Sequence, residues 1–291
     1  MEPDWRDRAS TGEFIVRHAL DEDGATADSA TASLGPLGYS RHACSFTARE
    51  DLVLAGWFLV EEVFRRLVQI MDEDPCRIEK FMDDGAAVGS GETLGSLEGP
   101  AHIILRGERT ALNLLGRLSG IATLTGRFVE AVEGTGVEIL DTRKTTPCLR
   151  ALEKYAVRMG GGVNHRFDLR QMAMIKDNHL AVAGGAGSLG DIVAALKEKE
   201  VPVEVEVDSI RQLREVLLME PDRVLLDNMG VSLLRQAVEI SSGSGVYLEA
   251  SGGITLENVR LVAETGVDGI SSGALTHSAS SADIGLDWGI R

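Results

Sequence analysis

The second half of the chain repeats one pattern, in which a short apolar run is followed by a helical stretch or a loop. Runs of this kind end at Glu206, Asp227, Ser251 and Ser272, at intervals of 21, 24 and 21 residues. An interval of that size accommodates one strand and one helix. Because successive strand–helix units build a parallel sheet, either closed as a barrel or open with helices on both faces, this region is predicted to be α/β.

Two earlier runs, which end at Asp141 and Lys176, extend the pattern to six units. A complete eight-unit barrel needs about 250 residues, so six units predict a partial, incomplete β/α barrel. Polar residues follow each run, and barrel active sites lie at the carboxyl ends of the strands. We therefore expect the functional groups of this chain at that edge of the sheet.

The first part of the chain lacks this rhythm and predicts an α+β domain. The sequence T-A-R-E at Thr47 resembles a capping box and predicts a helix that runs to about Gln69. Strands are predicted at 77–82 and 102–105, on either side of a Gly-rich turn region at 85–99. A long helical pattern then runs from Glu108 to Glu133.

These patterns predict two domains. An N-terminal α+β, sandwich-like domain is expected at 1–120, joined by the C-terminal tail at 279–291, and the partial β/α barrel is expected at 121–278.

The composition limits the partners of the chain. With 44% apolar and 25% charged residues it is typical of a soluble globular protein, and its net charge of -16 argues against a general nucleic-acid or anionic-membrane surface. No apolar run is long enough to span a bilayer, and the charged N-terminus lacks the apolar core of a signal peptide. We therefore expect a cytoplasmic protein whose three cysteines, Cys44, Cys76 and Cys148, are reduced thiols.

Positive charge is concentrated between Asp141 and His179, where eight Lys/Arg residues stand against four Asp/Glu residues. A local excess of cations in an acidic chain indicates an anion pocket. Three of these cations are spaced four apart after Pro147 and fit one solvated face of a helix, namely Arg150, Lys154 and Arg158. Five further residues of this segment adjoin strand ends or loops, where a functional role is expected, and they are Arg143, Lys144, His165, Arg166 and Lys176. Of these, Arg143, His165, Arg166 and Lys176 are suited to binding planar carboxylates.

Two further groups complete a possible substrate complex. Glu206 and Asp227 are acidic strand ends suited to ribose hydroxyls or to a Mg²⁺ that reaches a phosphate. The Gly-rich turns Ser251-Gly252-Gly253 and Ser271-Ser272-Gly273 follow the last two strands, where backbone N–H groups often hold phosphate.

At this point the residues resemble a known family. The segments that carry the resemblance are GERTALNLLGRLSGIAT (107–123), LDTRKTTPCLRALEKYAVRMGGGVNHR (140–166), IKDNH (175–179), EVEVD (204–208), LLDNM (225–229), LEASGGI (248–254) and GVDGISSGALTHS (266–278). They are similar to quinolinate phosphoribosyltransferase, also called nicotinate-nucleotide pyrophosphorylase (carboxylating).

The resemblance implies transfer of a phosphoribosyl group from phosphoribosyl pyrophosphate (PRPP) to quinolinate with decarboxylation, in NAD synthesis. It implies Mg²⁺, held by Glu206 and Asp227 directly or through water, and no organic cofactor. It also implies a homodimer with shared active sites, with further assembly into a hexamer left open. The implied quinolinate ligands are Arg109, Arg143, His165, Arg166 and Lys176. The implied PRPP and phosphate ligands are Lys144, Glu206, Asp227, Ser251, Gly252, Gly253, Ser272, Gly273 and His277, with Lys144, Glu206 and Asp227 as catalytic residues.

Two other functions remain open from the residues alone. A Schiff-base aldolase would use Lys176 as its nucleophile, although the adjacent Asp177 favours a charged amine. A non-catalytic pyridine- or phosphate-binding module would keep the Gly-rich turns. Among phosphoribosyltransferases, nicotinate is the nearest competing substrate, but a monocarboxylate would leave several cations without partners.

Overall fold

The computed structural model describes residues 4–182 and 189–289 and contains two compact units. The first comprises the chain up to Gly126, Thr145–Gly161 and the chain from Thr276 onward, and the second comprises Arg127–Lys144 and Gly162–Leu275. The division by sequence pattern assigned residues 145–161 to the barrel. They belong to the first unit because their helix packs against the N-terminal helix.

Twelve strands and eleven α-helices are defined in the described residues. The strands are β1 (Arg41–Ala48), β2 (Leu52–Val53), β3 (Arg77–Lys80), β4 (Ala87–Val88), β5 (Thr93–Pro100), β6 (Glu138–Leu140), β7 (Ala173–Ile175), β8 (Val203–Val207), β9 (Arg223–Asp227), β10 (Tyr247–Ser251), β11 (Gly269–Ser271) and β12 (Ile284–Trp288). The helices are α1 (Arg8–Glu22), α2 (Ser29–Ala32), α3 (Trp57–Met71), α4 (Ala101–Ala131), α5 (Arg150–Met159), α6 (Asp177–Val182), α7 (Leu189–Lys197), α8 (Ile210–Leu217), α9 (Val231–Ser241), α10 (Val259–Ala263) and α11 (Ala274–His277). Short 3-10 helices lie at Ala25–Ala27 and Gly35–Tyr39.

The first unit is built on a four-stranded antiparallel sheet with the order β12-β1-β5-β3. Helix α3 buries one apolar stripe, which includes Leu59, Val63 and Phe64, and it packs against α1. The ring of Phe46 on β1 meets that of Trp57 on α3 edge to face at 5.3 Å between centroids. Sheet and helix therefore share one core, as predicted for an α+β domain.

Three local predictions in this unit are wrong. Thr47 does not cap a helix, because it pairs in β1 with Gly285 of β12, and the helix begins only at Trp57. Residues 102–105 lie in α4, and the strand before them is β5 (Thr93–Pro100), within the segment predicted to be a turn region. Lys154 is only 1% exposed and so does not belong to a solvated helix face, because α5 is almost wholly buried in its unit.

The second unit contains one six-stranded parallel sheet with the order β6-β11-β10-β9-β8-β7. All six apolar runs predicted from the sequence form its strands. Consecutive strands from β7 to β11 are neighbours, and β6 then pairs with β11. In the described part of the chain β6 and β7 form the two edges, so the predicted incomplete barrel is confirmed.

Two predictions from composition also hold for the described residues. No helix there combines the length and the apolar character needed to cross a bilayer. All three cysteines are free thiols.

Candidate active site

A cleft of about 320 Å³ in the second unit gathers residues from the carboxyl ends of its strands and from the loops that follow them. Eight of the residues predicted from the sequence line it together, and they are Arg143, Lys144, His165, Arg166, Lys176, Glu206, Asp227 and Ser251. The other lining residues are Thr142, Met174, Leu225, Glu249 and Ser271.

Strand register explains how distant residues meet at this edge. Asp227, Ser251 and Ser271 end β9, β10 and β11, and they are direct partners in the parallel ladders. Side chains in one row of a sheet point to the same face. The hydroxyl of Ser271 donates a hydrogen bond to that of Ser251 at 3.0 Å, so the two serines form one polar edge.

Two guanidinium groups form the most positive part of the cleft. Arg166 is 8% exposed, and its Nη1 donates to the carbonyl oxygen of Met172 at 3.0 Å. Burial lowers the pKa of Arg166, and the nearby charge of Arg143 lowers it further. The Nε of Arg143 is buried and has no hydrogen-bond acceptor among residues 4–182 and 189–289. A bound anion would relieve both the repulsion and the missing hydrogen bond.

Lys176 and Glu206 place opposite charges next to each other at the cleft. The ammonium group of Lys176 donates a hydrogen bond to Oε2 of Glu206. Farther along the sheet, the side-chain amide of Asn228 donates to Oδ2 of Asp227 at 2.8 Å. The described residues give the second carboxylate oxygen of Glu206 and of Asp227 no side-chain donor.

His165 is held on three sides. Its backbone N–H donates to Oδ1 of Asp141 at 2.8 Å, and its Nδ1 accepts a hydrogen bond from the backbone N–H of Arg166 at 2.7 Å. Its Nε2 lies 3.1 Å from a carboxylate oxygen of Glu204 and 3.1 Å from one of Glu249. Burial lowers the pKa of His165, but the two carboxylates outweigh that effect and raise it above its usual value.

The Gly-rich turn after β10 depends on glycine at one position. Gly252 has a φ of 90°, and a Cβ atom there would come within 2.2 Å of Oδ1 of Asn228. Gly253 has a φ of 61° and open space where its Cβ would be. After β11, the N–H of Ser272 donates to the carbonyl oxygen of Leu140 at 3.1 Å, so that amide is used within the sheet. Four residues predicted from these turns are not among those that line the cleft, namely Gly252, Gly253, Ser272 and Gly273, although they directly follow Ser251 and Ser271, which do line it.

Two predicted ligands lie in the first unit. Arg109 is on α4, beside a small cleft that Glu22 and Asp23 also line. His277 ends α11, and its Nδ1 lies 2.6 Å from the hydroxyl of Ser278.

The sequence patterns assigned no role to Glu204, Glu249 or Thr142. A carboxylate within a buried parallel strand is the signal that identifies both glutamates, since such a position rarely tolerates a charge without a partner. Thr142 carried no comparable signal.

Comparison with known proteins gives consistent matches. The family model described as quinolinate phosphoribosyl transferase, C-terminal domain, matches residues 121–287, and the corresponding N-terminal domain matches residues 29–119. The chain is 45% identical over 277 residues to nicotinate-nucleotide pyrophosphorylase [carboxylating] of Mycobacterium leprae, covering 94% of this chain and 95% of the relative. It is 40% identical to quinolinate phosphoribosyltransferase [decarboxylating] 2b of Nicotiana tabacum, covering 94% of this chain and 80% of that relative.

Solved structures agree. The crystal structure of nicotinate-nucleotide pyrophosphorylase from Ehrlichia chaffeensis superposes with a TM-score of 0.86 at 40% identity, covering 94% of this chain and 97% of that one. The enzyme from Francisella tularensis superposes with a TM-score of 0.88 at 33% identity, covering 99% of each chain.

Proposed function

Because this chain belongs to the quinolinate phosphoribosyl transferase family, we propose that the cleft at the carboxyl edge of its parallel sheet carries out the family's reaction. The protein transfers the phosphoribosyl group of PRPP to quinolinate with decarboxylation, which gives nicotinate mononucleotide, CO₂ and pyrophosphate in NAD biosynthesis. The observation that carries the assignment of the site is the meeting of the Arg143–Arg166 pair with the carboxylates of Glu206 and Asp227 in one cleft.

Quinolinate binds, in this proposal, to the cationic side of the cleft. Its two adjacent carboxylates offer an acceptor to the Nε of Arg143 and offset the repulsion between the Arg143 and Arg166 charges, and arginine binds a carboxylate through two parallel hydrogen bonds. Lys176 adds a third cation within the cleft. His165 lines the same side, but both of its ring nitrogens already face protein groups.

PRPP binds at the acidic strand ends and the Gly-rich turns. Lys144 and Ser251 line the cleft. The Gly-rich turns follow the last residues of β10 and β11, and they contain Gly252, Gly253, Ser272 and Gly273. Glu206 and Asp227 fit Mg²⁺, because each is a carboxylate with one oxygen that has no side-chain donor among the described residues, and Mg²⁺ prefers such oxygen ligands. When bound, Mg²⁺ would neutralise charge on the pyrophosphate and order the ribose hydroxyls.

The residues of the cleft then act at two stages. The ring nitrogen of quinolinate attacks the anomeric carbon as pyrophosphate leaves, and the carboxylates of Glu206 and Asp227 stabilise the cationic, oxocarbenium-like state electrostatically. Lys144 supplies a cation for the leaving phosphates. The alkylated, positively charged nitrogen next stabilises the electron pair that remains on the neighbouring ring carbon when its carboxylate leaves as CO₂, and a proton from solvent then adds to that carbon.

We also propose that the protein is a homodimer whose subunits share their active sites, and that it is located in the cytoplasm. The support is that Arg109 and His277 lie in the first unit, whereas the other predicted ligands lie in the second. A ligand that belongs to the unit without the cleft can serve the site of a neighbouring subunit. The acidic composition, with a net charge of -16, suits small-molecule rather than nucleic-acid partners.

The test is an assay of the purified protein with PRPP, Mg²⁺ and either quinolinate or nicotinate. We expect nicotinate mononucleotide and CO₂ from quinolinate only while metal is present, and no product after EDTA treatment until Mg²⁺ is restored. Leaving one desolvated cation without its partner costs about 2 to 5 kcal/mol, so nicotinate should be worse by roughly 30-fold to several thousand-fold in kcat/KM. Equal turnover of the two acids would contradict the dicarboxylate site.

A further inference from the structure

Two carboxylates next to the cleft have no part in the chemistry described above. Glu204 lies in the middle of β8 and Glu249 in the middle of β10, and both are 0% exposed. Each has a carboxylate oxygen 3.1 Å from Nε2 of His165. The Nη1 of Arg223 lies 3.9 Å from Oε2 of Glu249. Among the described residues, the ring of His165 is thus the polar group that both carboxylates approach most closely.

Burial makes this arrangement costly for the fold. Replacing a whole buried ion-pair cluster by apolar residues of similar volume is often neutral or stabilising, so stability alone does not explain two such carboxylates side by side. Burial raises the pKa of Glu204, and the adjacent Glu249 acts in the same direction. A role in placing another residue explains the pair better than a role in stability.

The contacts of His165 show which residue Glu204 and Glu249 position. Its Nε2 faces the two carboxylates and its Nδ1 faces the N–H of Arg166, so the orientation of the ring is fixed from both ends. The guanidinium of Arg166 lines the cleft. A chain of contacts thus runs from the carboxylates through His165 to the main chain of a substrate-binding cation.

A metal ion between the three side chains is the competing explanation, since their ligand atoms all lie within 4.8 Å of one another. Binding through Nε2 would require the ring hydrogen on Nδ1. That hydrogen would then point at the N–H of Arg166, which is 2.7 Å away. The contact at Nδ1 instead favours a hydrogen on Nε2, on the side of the ring that faces the two carboxylates.

We propose that Glu204 and Glu249 are positioning residues for quinolinate, which fix the ring of His165 and through it the main chain of Arg166. The inference rests on the proposed assignment of the cleft. It concerns the contact of each side-chain oxygen with Nε2 of His165, so glutamine, which keeps an oxygen there, should replace either glutamate.

The experiment compares Glu204→Leu, Glu249→Leu, Glu204→Gln and Glu249→Gln with the unchanged protein. In each Leu variant the KM for quinolinate should rise by about tenfold, the effect of one lost hydrogen bond, with the KM for PRPP changed by less than about threefold. Each Gln variant should stay within about threefold of the unchanged protein for both substrates. Glu138→Leu is the matched control, because Glu138 lies on β6 of the same sheet and contacts Tyr247, and it should change neither KM.

A double-mutant cycle with His165→Ala tests whether the carboxylates act through the ring. Adding Glu204→Leu to His165→Ala should leave the KM for quinolinate where His165→Ala alone puts it, because residues in one chain of contacts are not additive. Equal rises in both KM values, additive effects in the cycle, or Gln variants as impaired as the Leu variants would each overturn the inference. So would stoichiometric metal in the purified protein that is lost in Glu204→Leu.

If a Leu variant fails to fold, the Gln variants and the other Leu variant still decide the question. Absence of quinolinate turnover in the unchanged protein would instead contradict the proposed function. In that case calorimetric titration of quinolinate into the same variants tests the positioning role, and unchanged quinolinate affinity in the Leu variants would overturn it.

Discussion

At the scale of single residues, Lys176 separates two enzyme classes. A Schiff-base enzyme needs a neutral amine, whereas the Nζ of Lys176 donates to the carboxylate of Glu206. The contact therefore supports Lys176 as a binding cation, in agreement with the family to which the chain belongs.

We predict that Lys176 forms no covalent adduct. Incubation with pyruvate and borohydride, followed by mass spectrometry of the peptides, should leave Lys176 unmodified, because an ammonium group does not attack a carbonyl. The same treatment of the Lys176→Arg variant gives the background of non-specific reduction. An adduct at Lys176 above that background would favour the aldolase chemistry.

The three thiols should differ in reactivity. Burial raises the pKa of Cys44 and of Cys76 to about 11 each, which reduces the fraction of reactive thiolate, whereas Cys148 is exposed. We predict that iodoacetamide at pH 8 modifies Cys148 first in the native protein. Labelling in urea should remove the difference, and equally fast labelling of all three cysteines under native conditions would contradict the burial of the other two.

At the scale of elements, the sequence predicted the second unit better than the first. Four of the six apolar runs end in a polar residue that lines the cleft, namely Lys176, Glu206, Asp227 and Ser251. For these strands a local sequence pattern is enough to identify both the strand and its site residue. In the first unit, Thr47 has the sequence of a helix cap but pairs with Gly285, which lies far along the chain. Pairing between residues so far apart in the sequence determines the secondary structure of that segment, and no local sequence pattern indicates such pairing. The contacts of Glu204 and Glu249 with His165 escaped prediction for the same reason.

The side chain that caps the N-terminus of α3 comes from another segment of the chain, and its removal gives a testable prediction. Asp84 accepts hydrogen bonds from the N–H groups of Gly56 and Trp57 at 2.8 and 3.2 Å, and from the hydroxyl of Tyr155 at 2.6 Å. Asp84→Ala should lower the free energy of unfolding by about 1 to 3 kcal/mol. Urea denaturation would measure the change.

The neighbouring residue supplies the control for that measurement. Asp83 is exposed and contacts only Lys80 through its side chain among the described residues, so Asp83→Ala should change the stability little. Equal stabilities of the two variants would show that Asp84 is not the cap of α3.

At the scale of the whole molecule, the division of ligands between two units has a consequence for assembly. Arg109 lies on α4 in the first unit, whereas Lys176 and the other cleft cations lie in the second. If Arg109 completes the site of a partner subunit, no single chain contains a complete site. Two inactive variants, Arg109→Ala and Lys176→Ala, can then restore each other.

We predict that mixing these variants restores activity, in an amount fixed by the two-fold symmetry. In a mixed dimer the Arg109→Ala chain keeps its own Lys176 and receives Arg109 from its partner, which gives one intact site, while the second site lacks both residues. Random mixing of equal amounts makes about half of the dimers mixed, so about a quarter of all sites should recover, as expected for an isologous interface. Activity after co-refolding is the measurement, and native mass spectrometry of differently tagged chains establishes that mixed dimers are present. Mixed dimers no more active than either parent would place Arg109 and Lys176 in the site of one chain.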